Sequence, residues 1–138
     1  MAEITITASA VAPIANSTIQ AEYNAGATIA AGQFVYIDTA NSNVLKLAQG
    51  DGTTLESTVA GMALSSGSTG QPIKIAIGGT VTIGAVVAAG VFYFLSSTAG
   101  NMELFTDVAS TEKTVLVGFA TTTSILDLRI IITGIAKT

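Results

Sequence analysis

The side chains that could do chemistry in this chain are nine carboxylates and five basic groups, because the sequence contains neither histidine nor cysteine. Histidine is the commonest general base, so a Ser-His-Asp or Cys-His arrangement cannot be built. The carboxylates are scattered singly, whereas a Ca²⁺ site needs several oxygen ligands close together. We therefore predict a protein that is not an enzyme, with no catalytic residues, no metal site and no cofactor.

The polar residues are better explained as structural groups. Asp51 precedes Gly52 and Asp38 ends a predicted strand, two positions where Asp supports a turn. The glycine-rich stretch 61–70 lacks the lysine of a phosphate-binding loop, and we interpret it as a flexible hairpin loop.

Three other carboxylates, on Glu103, Glu112 and Asp127, are expected to be solvated or to lie at an interface. Asp127 and Arg129 are two apart on a predicted strand and so share a face. An exposed ion pair between them is worth under about 1 kcal/mol.

The composition predicts the elements that carry these groups. Fourteen glycines with abundant Thr, Val and Ile favour strands joined by tight turns. The 138 residues suit one domain, and we predict an all-β fold, a small β-barrel or sandwich. Charged residues make up 10%, against a usual value of about 25%, so neighbouring chains should cover part of the surface.

Two classes of partner are disfavoured. The net charge is −4 and no basic patch is present, which argues against nucleic acid. The 21 residues from Ile75 to Leu95 carry no charge and match the length of a transmembrane helix. Four glycines and the β-branched run 80–83 favour buried β-structure instead, so we expect no membrane partner. Residues 1–5 do not resemble a signal peptide, which predicts synthesis in the cytoplasm.

A motif occurs twice in the chain. Residues 26–37 resemble residues 84–95, and 43–44, 59–63 and 74–79 are matched in order by 101–102, 116–120 and 129–134. We predict one β-domain, residues 25–138, made of two repeats at about 25–79 and 80–138. Each repeat should contain a short strand that ends in Ala-Ala-Gly, an aromatic-rich strand (33–38 or 91–96), a following strand (44–47 or 102–105) and a final hairpin.

Five aromatic residues occupy equivalent strands of the two repeats and are predicted to be core. They are Phe34, Tyr36, Phe92, Tyr93 and Phe94. No segment has a sustained 3.6-residue period, so at most one short helix is expected, near residues 107–113.

Residues 1–24 lie outside the repeats and are predicted to form an extended N-terminal arm. Ile4 and Ile6 alternate with Thr5 and Thr7, a pattern that suits strand addition to a neighbouring sheet edge. We hypothesise that the arm contacts a capsid or another subunit. The residues proposed for this contact are Glu3, Ile4, Thr5, Ile6, Thr7, Val11, Ile14 and Ile19.

The stretch Gly26-x-Thr-Ile-x-Ala-Gly-Gln-Phe-Val-Tyr, followed by Val59-Ala60-Gly61-Met62-Ala63, resembles the capsid decoration (cement) proteins of tailed bacteriophages. Residues 92–101 are similar to segments of that group and of phage head-fibre proteins. Residues 37–63 also resemble the head decoration protein of lambda-like phages. The resemblance spans residues 24–134, although lambda-type decoration proteins are not evident two-fold repeats.

The resemblance implies a virion protein on the capsid exterior, where it binds the major capsid protein and stabilises the shell. It also implies a homotrimer and an N-terminal arm that contributes to capsid contact. The alternatives are another phage virion β-protein, from the tail or fibre base, and a cell-surface or carbohydrate-binding β-module. The last would need exposed aromatic and carboxylate clusters, which the absence of Trp and the 6% aromatic content disfavour.

Overall fold

The computed structural model describes residues 3–4, 6–14 and 18–137; for Glu3, Thr18, Gln20 and Ala21 it describes the backbone only. It confirms the all-β prediction: antiparallel strands form one sheet, curled into a half-barrel. The described strands are β1 (Glu3–Ile4), β2 (Ala12–Pro13), β3 (Thr18–Asn24), β4 (Phe34–Asp38), β5 (Val44–Leu47), β6 (Gly61–Ala63), β7 (Pro72–Thr82), β8 (Phe92–Leu95), β9 (Met102–Leu104), β10 (Lys113–Ala120) and β11 (Ile125–Ala136). Two 3-10 helices, Ala8–Ala10 and Phe105–Asp107, are the described helical segments, and the second begins just before the predicted position.

Eight strands form two four-stranded units with the same pairing order. In the first unit the order is β5-β4-β6-β7, and in the second it is β9-β8-β10-β11. The units join edge to edge where β11 pairs with β7. Cross-strand neighbours also correspond, since Phe34 pairs with Met62 in the first unit and Phe92 with Phe119 in the second. The internal repeat of the sequence remains a prediction. The order of strands that it predicts agrees with the pairing order of the two units.

The final strands need a correction to the predicted alignment. The sequence matches Lys74 to Arg129, but the pairing places Ala76 opposite Met62 and Asp127 opposite Phe119. Structural equivalence is therefore shifted by four residues. The cause is the hairpin loop, which spans residues 64–71 in the first unit and only 121–124 in the second.

Strand β7 connects the two units. Residues 72–78 pair with β3, and on the other edge residues 75–76 pair with β6. From Gly79 onward β7 pairs with β11 on one edge and, at residues 81–82, with β2 on the other. Gly79 has a φ of +80°, which glycine adopts without steric cost, so the Gly78-Gly79 pair permits the bend at which the partners change.

The uncharged segment from Ile75 to Leu95 is β-structure, as predicted, because it contains most of β7 and all of β8. Within the described part of the chain, no helix has the length and apolar character needed to cross a membrane.

The predicted separate N-terminal arm is not confirmed. Strand β1 pairs with β9, and β2 and β3 both pair with β7 of the same chain. Ile4, Ile6 and Val11 pack against the main core. The alternating sequence that suits strand addition is used within the chain, because β7 and β9 offer edges that the segment can pair.

Two apolar clusters stabilise the sheet. The larger lies between the units and includes Phe34, Tyr36 and Met62 from the first, with Tyr93 and Leu128 from the second. The smaller cluster covers the opposite side of the first unit. There Val35, Leu45, Ile73 and Ile75 pack beneath Ala25, Ile29 and Tyr23.

Candidate interaction face

One side of the second unit presents an aromatic surface that nothing in the described chain covers completely. Directly paired residues of antiparallel strands project to the same side. Phe92, Phe119 and Asp127 are paired in this way across β8, β10 and β11, as are Phe94, Leu116 and Ile131. With Arg129, these residues define what we call the Phe92 face. They are Phe92, Phe94, Leu116, Phe119, Asp127, Arg129 and Ile131.

The corresponding side of the first unit is buried. Phe34, which corresponds to Phe92, is 0% exposed, and Met62 and Ala76 are also fully buried in the larger cluster. In the second unit, by contrast, Phe92 is 54% exposed and Ile131 55%. The two units therefore pack in the same sense: one face of the first lies on the back of the second, and the matching face of the second stays open.

The aromatic rings of the Phe92 face are in contact with one another. The ring centroids of Phe92 and Phe119 are 5.5 Å apart with an interplanar angle of 35°. The Arg129 guanidinium lies 6.0 Å from the Phe119 centroid and donates to Asp127, with Nε 3.3 Å from Oδ1. This confirms the predicted Asp127–Arg129 pair. The acid and the base cancel within these seven residues, while Lys137 lies at the border and the buried Glu103 is paired with Phe94 across β8 and β9.

A folded-back segment borders this face. Phe105, in the 3-10 helix after β9, packs its ring 5.2 Å from that of Phe94. The Lys137 Nζ lies 4.4 Å from the Phe105 centroid and donates to the carbonyls of Phe105 and Val108, at 2.8 and 2.9 Å. These hydrogen bonds hold the C-terminal end of the described chain against the 3-10 helix, where the Phe105 ring is 45% exposed.

The prediction that the aromatic residues are core is correct for three of them and wrong for Phe92. Phe34, Tyr36 and Tyr93 are buried, and Phe94 is half-buried. The sequence analysis assigned equivalent strands to one environment. It missed that two units stacked in the same sense leave one face without a partner.

The carboxylates divide into two groups. Asp38 accepts bonds from the Ala40 amide and the Asn41 side chain and lies 3.0 Å from the Lys46 Nζ, as expected for a turn residue. The bond from Asn41, followed by that from Lys46, holds the pKa of Asp38 below its ordinary value. The hydrogen bond to Asp38, followed by the charge of that carboxylate, raises the pKa of Lys46 above its ordinary value.

Glu103 and Glu112 contradict the prediction of solvated or interface charges, because both side chains are buried. Glu112 accepts a bond from the Ala109 amide, and the Ser96 hydroxyl lies 3.5 Å from a Glu103 carboxylate oxygen. Glu103 lies in β9 and Glu112 just before β10, and their burial depends on tertiary packing that sequence spacing alone does not show. Among the described residues, no three potential metal-ligating side chains form a group.

The proposed N-terminal contact residues are distributed over the sheet. Ile4 and Ile6 lie half-buried, and a Cβ added at Gly32 would approach Ile6 to 2.6 Å. The Thr7 amide donates to the Ile83 carbonyl, while the side chains of Ile14 and Ile19 are exposed. Thr5 and the Glu3 side chain lie outside the described residues. The described members of the set thus occupy both half-buried and exposed positions, and their role in contact stays a prediction.

No protein-family model matches the chain, and no curated protein does. The Phe92 face is accordingly assessed on its geometry. It has an apolar centre, one ion pair and a half-buried aromatic border, which are features of a protein-contact surface rather than of a reactive site.

Proposed function

We propose that this protein is a virion structural protein that binds the outer surface of a phage capsid and stabilises the shell. The observation that carries this proposal is the exposed Phe92 face. Four of the five phenylalanines, Phe92, Phe94, Phe105 and Phe119, lie on it or at its border. Contiguous apolar surface of this kind on a soluble chain marks an interaction site.

The sequence supports the same proposal independently. With only 10% charged residues, the chain has few groups to cover an isolated surface, and an assembly would cover the remainder. The resemblance to decoration proteins supplies the partners, which are the major capsid protein and further copies of this chain, expected as a trimer. A tail or fibre-base protein would meet the same physical requirements. The two roles are distinguished by whether the protein binds heads or tails.

The direct test uses heads of the phage that encodes this chain, prepared from a strain in which its gene is deleted. Purified protein should co-sediment with these heads at a saturable ratio and raise the temperature at which they release DNA. The double variant Phe92→Ser and Phe119→Ser should reduce binding at least tenfold. Ile19→Ser, which removes an isoleucine that is 46% exposed on β3, is the matched control and should bind normally.

Binding to tails or fibre bases, with none to heads, would replace the decoration proposal by the tail alternative. Equal binding by the double variant and the intact protein would remove the Phe92 face from the proposal.

A carbohydrate-binding role is a second candidate, because the exposed Phe92 ring lies beside the half-buried Phe119 and in one cross-strand row with the Asp127 carboxylate. Its low aromatic content argued against it, but these few rings are concentrated on one face. Binding to host-cell polysaccharide that Phe92→Ser abolishes, in the absence of binding to heads, would favour this second function.

A further inference from the structure

We propose that the Phe92 face is covered by the same face of a second copy of this chain, related to the first by a two-fold axis. The inference goes beyond the proposed function, because it assigns this face to a second copy of the chain and replaces the trimer expected from the resemblance by a two-fold pair.

The first argument comes from the sheet faces that a second copy has to offer. Each unit has two faces, and the inner pair already packs together in the larger cluster. The outer face of the first unit is covered by the segment around Ala25 and Ile29, where Gly26 donates to Leu45 at 2.8 Å. Among described residues, the Phe92 face is thus the open sheet face. The sheet-on-sheet packing seen inside the chain can continue between copies only if this face meets itself.

The sense of packing also excludes a simple continuation of the internal arrangement. Within the chain, the Phe34 side of the first unit rests on the back of the second. Repeating that contact head to tail would require an uncovered back on the next copy, and β3 and residues 25–31 occupy the relevant face. A contact between identical patches is the form that a two-fold axis produces.

The charges on the face are compatible with self-association. Asp127 and Arg129 are its charged members, and they are 3.3 Å apart. The chain as a whole carries −4, which opposes association, but the seven residues of the face carry one charge of each sign. A two-fold axis can place each Arg129 toward the Asp127 of the other copy, because the two residues lie two apart on the same strand.

The size of the face predicts a weak contact in solution. The face extends about 15 Å along three strands spaced about 4.8 Å apart, which is roughly 200 Å² in projection. Stable complexes bury about 800 Å² on each partner. We therefore expect a dissociation constant in the micromolar range, with tighter association once many copies are held on one surface.

Opposite charges at one position test the two-fold arrangement. Phe92→Glu and Phe92→Lys each place a like charge on both approaching faces, and in sedimentation velocity from about 1 to 500 µM each should weaken self-association at least tenfold. An equimolar mixture should restore it to within about threefold of the intact chain, because the charges are then opposite and lie within about one Debye length. Ile19→Glu is the matched control and should associate normally. Circular dichroism should show unchanged folding for all three variants.

Three results would overturn the inference: a wild-type monomer at 500 µM, a trimer as the smallest assembly, or a mixture that stays as dissociated as its components. If Phe92→Glu loses attachment to heads while the intact chain stays monomeric, the face meets the capsid protein, and only the proposed function survives. If the mixture restores a dimer but the intact chain does not bind heads, the inference stands and the proposed function fails.

Discussion

Phe34 and Phe92 occupy the same position in the two units, yet Phe34 is fully buried and Phe92 is 54% exposed. Each follows a turn that ends in Ala-Ala-Gly, and each pairs with the third strand of its unit, opposite Met62 or Phe119. The difference in burial arises from the way in which the units are joined. Their local structure is the same.

The same substitution should therefore have a large effect on stability at Phe34 and a small effect at Phe92. Phe34→Ala should lower the free energy of unfolding by about 3–5 kcal/mol, because a buried ring is lost and a cavity remains. Phe92→Ala should change it by less than about 1 kcal/mol, because most of the ring already contacts solvent. Urea denaturation of the two variants measures both values. A large loss for Phe92→Ala would show that the face contributes to the fold rather than to contact.

A second prediction concerns close backbone packing at the hairpins. A Cβ on Gly61 would lie 2.5 Å from the Ala76 carbonyl oxygen, and a Cβ on Gly118 would clash with that of Asp127. These oxygens belong to neighbouring strands and cannot move without distorting the sheet. Gly61→Ala and Gly118→Ala should each destabilise the protein by about 1–3 kcal/mol. Thermal denaturation checks this, and wild-type stability in either variant would contradict the close approach.

A third prediction concerns acid stability. The pKa of Asp38 is lowered in the folded protein by its bonds from Asn41 and Lys46. A lowered folded-state pKa contributes stability above the ordinary value, and this is lost as the pH falls through the folded value. Asp38→Asn should therefore melt below the wild type at pH 6, and the difference should shrink between pH 4 and pH 2.5. Asp51→Asn is the control. A difference that does not vary with pH would contradict the assignment.

A fourth prediction concerns the N-terminal segment. Ile4, Ile6 and Val11 pack against the core, and the amide of Ile14 donates to Thr80. Removing three half-buried apolar side chains should cost about 3 kcal/mol. Deletion of residues 2–14 should then lower the melting temperature by about 10 °C. A change of less than 2 °C would instead support an arm that is independent of the domain.

Much of the fold could be predicted from local sequence. The alternation of Ile73 and Ile75 with Lys74 indicates a strand with one apolar side, and those two isoleucines are buried. The repeated order of motifs predicted the aromatic-rich strand and the strand after it in both units to within one or two residues, but the short strand expected to end in Ala-Ala-Gly forms in neither unit. These features depend on neighbours in the chain, and a single sequence contains them.

The candidate site depended on information that local sequence lacks. Phe92 and Tyr93 are adjacent aromatic residues, and the stacking of the units determines which of them is buried. Glu103 was predicted to be solvated or at an interface. It is buried because of tertiary packing, which the sequence pattern does not show. Nor does the pattern of Ile4 and Ile6 say whether the edge that receives it belongs to the same chain or to another.

The change of partners along β7 at Gly78-Gly79 has a consequence for unfolding. Because this strand is hydrogen-bonded to both units, neither unit can open along it without removing pairs that the other uses. The amides of β7 on either side of the bend should therefore exchange with deuterium only through global opening, with one common free energy of opening. The two halves would then respond to heat or to mechanical load as one cooperative body, although their sequences describe two.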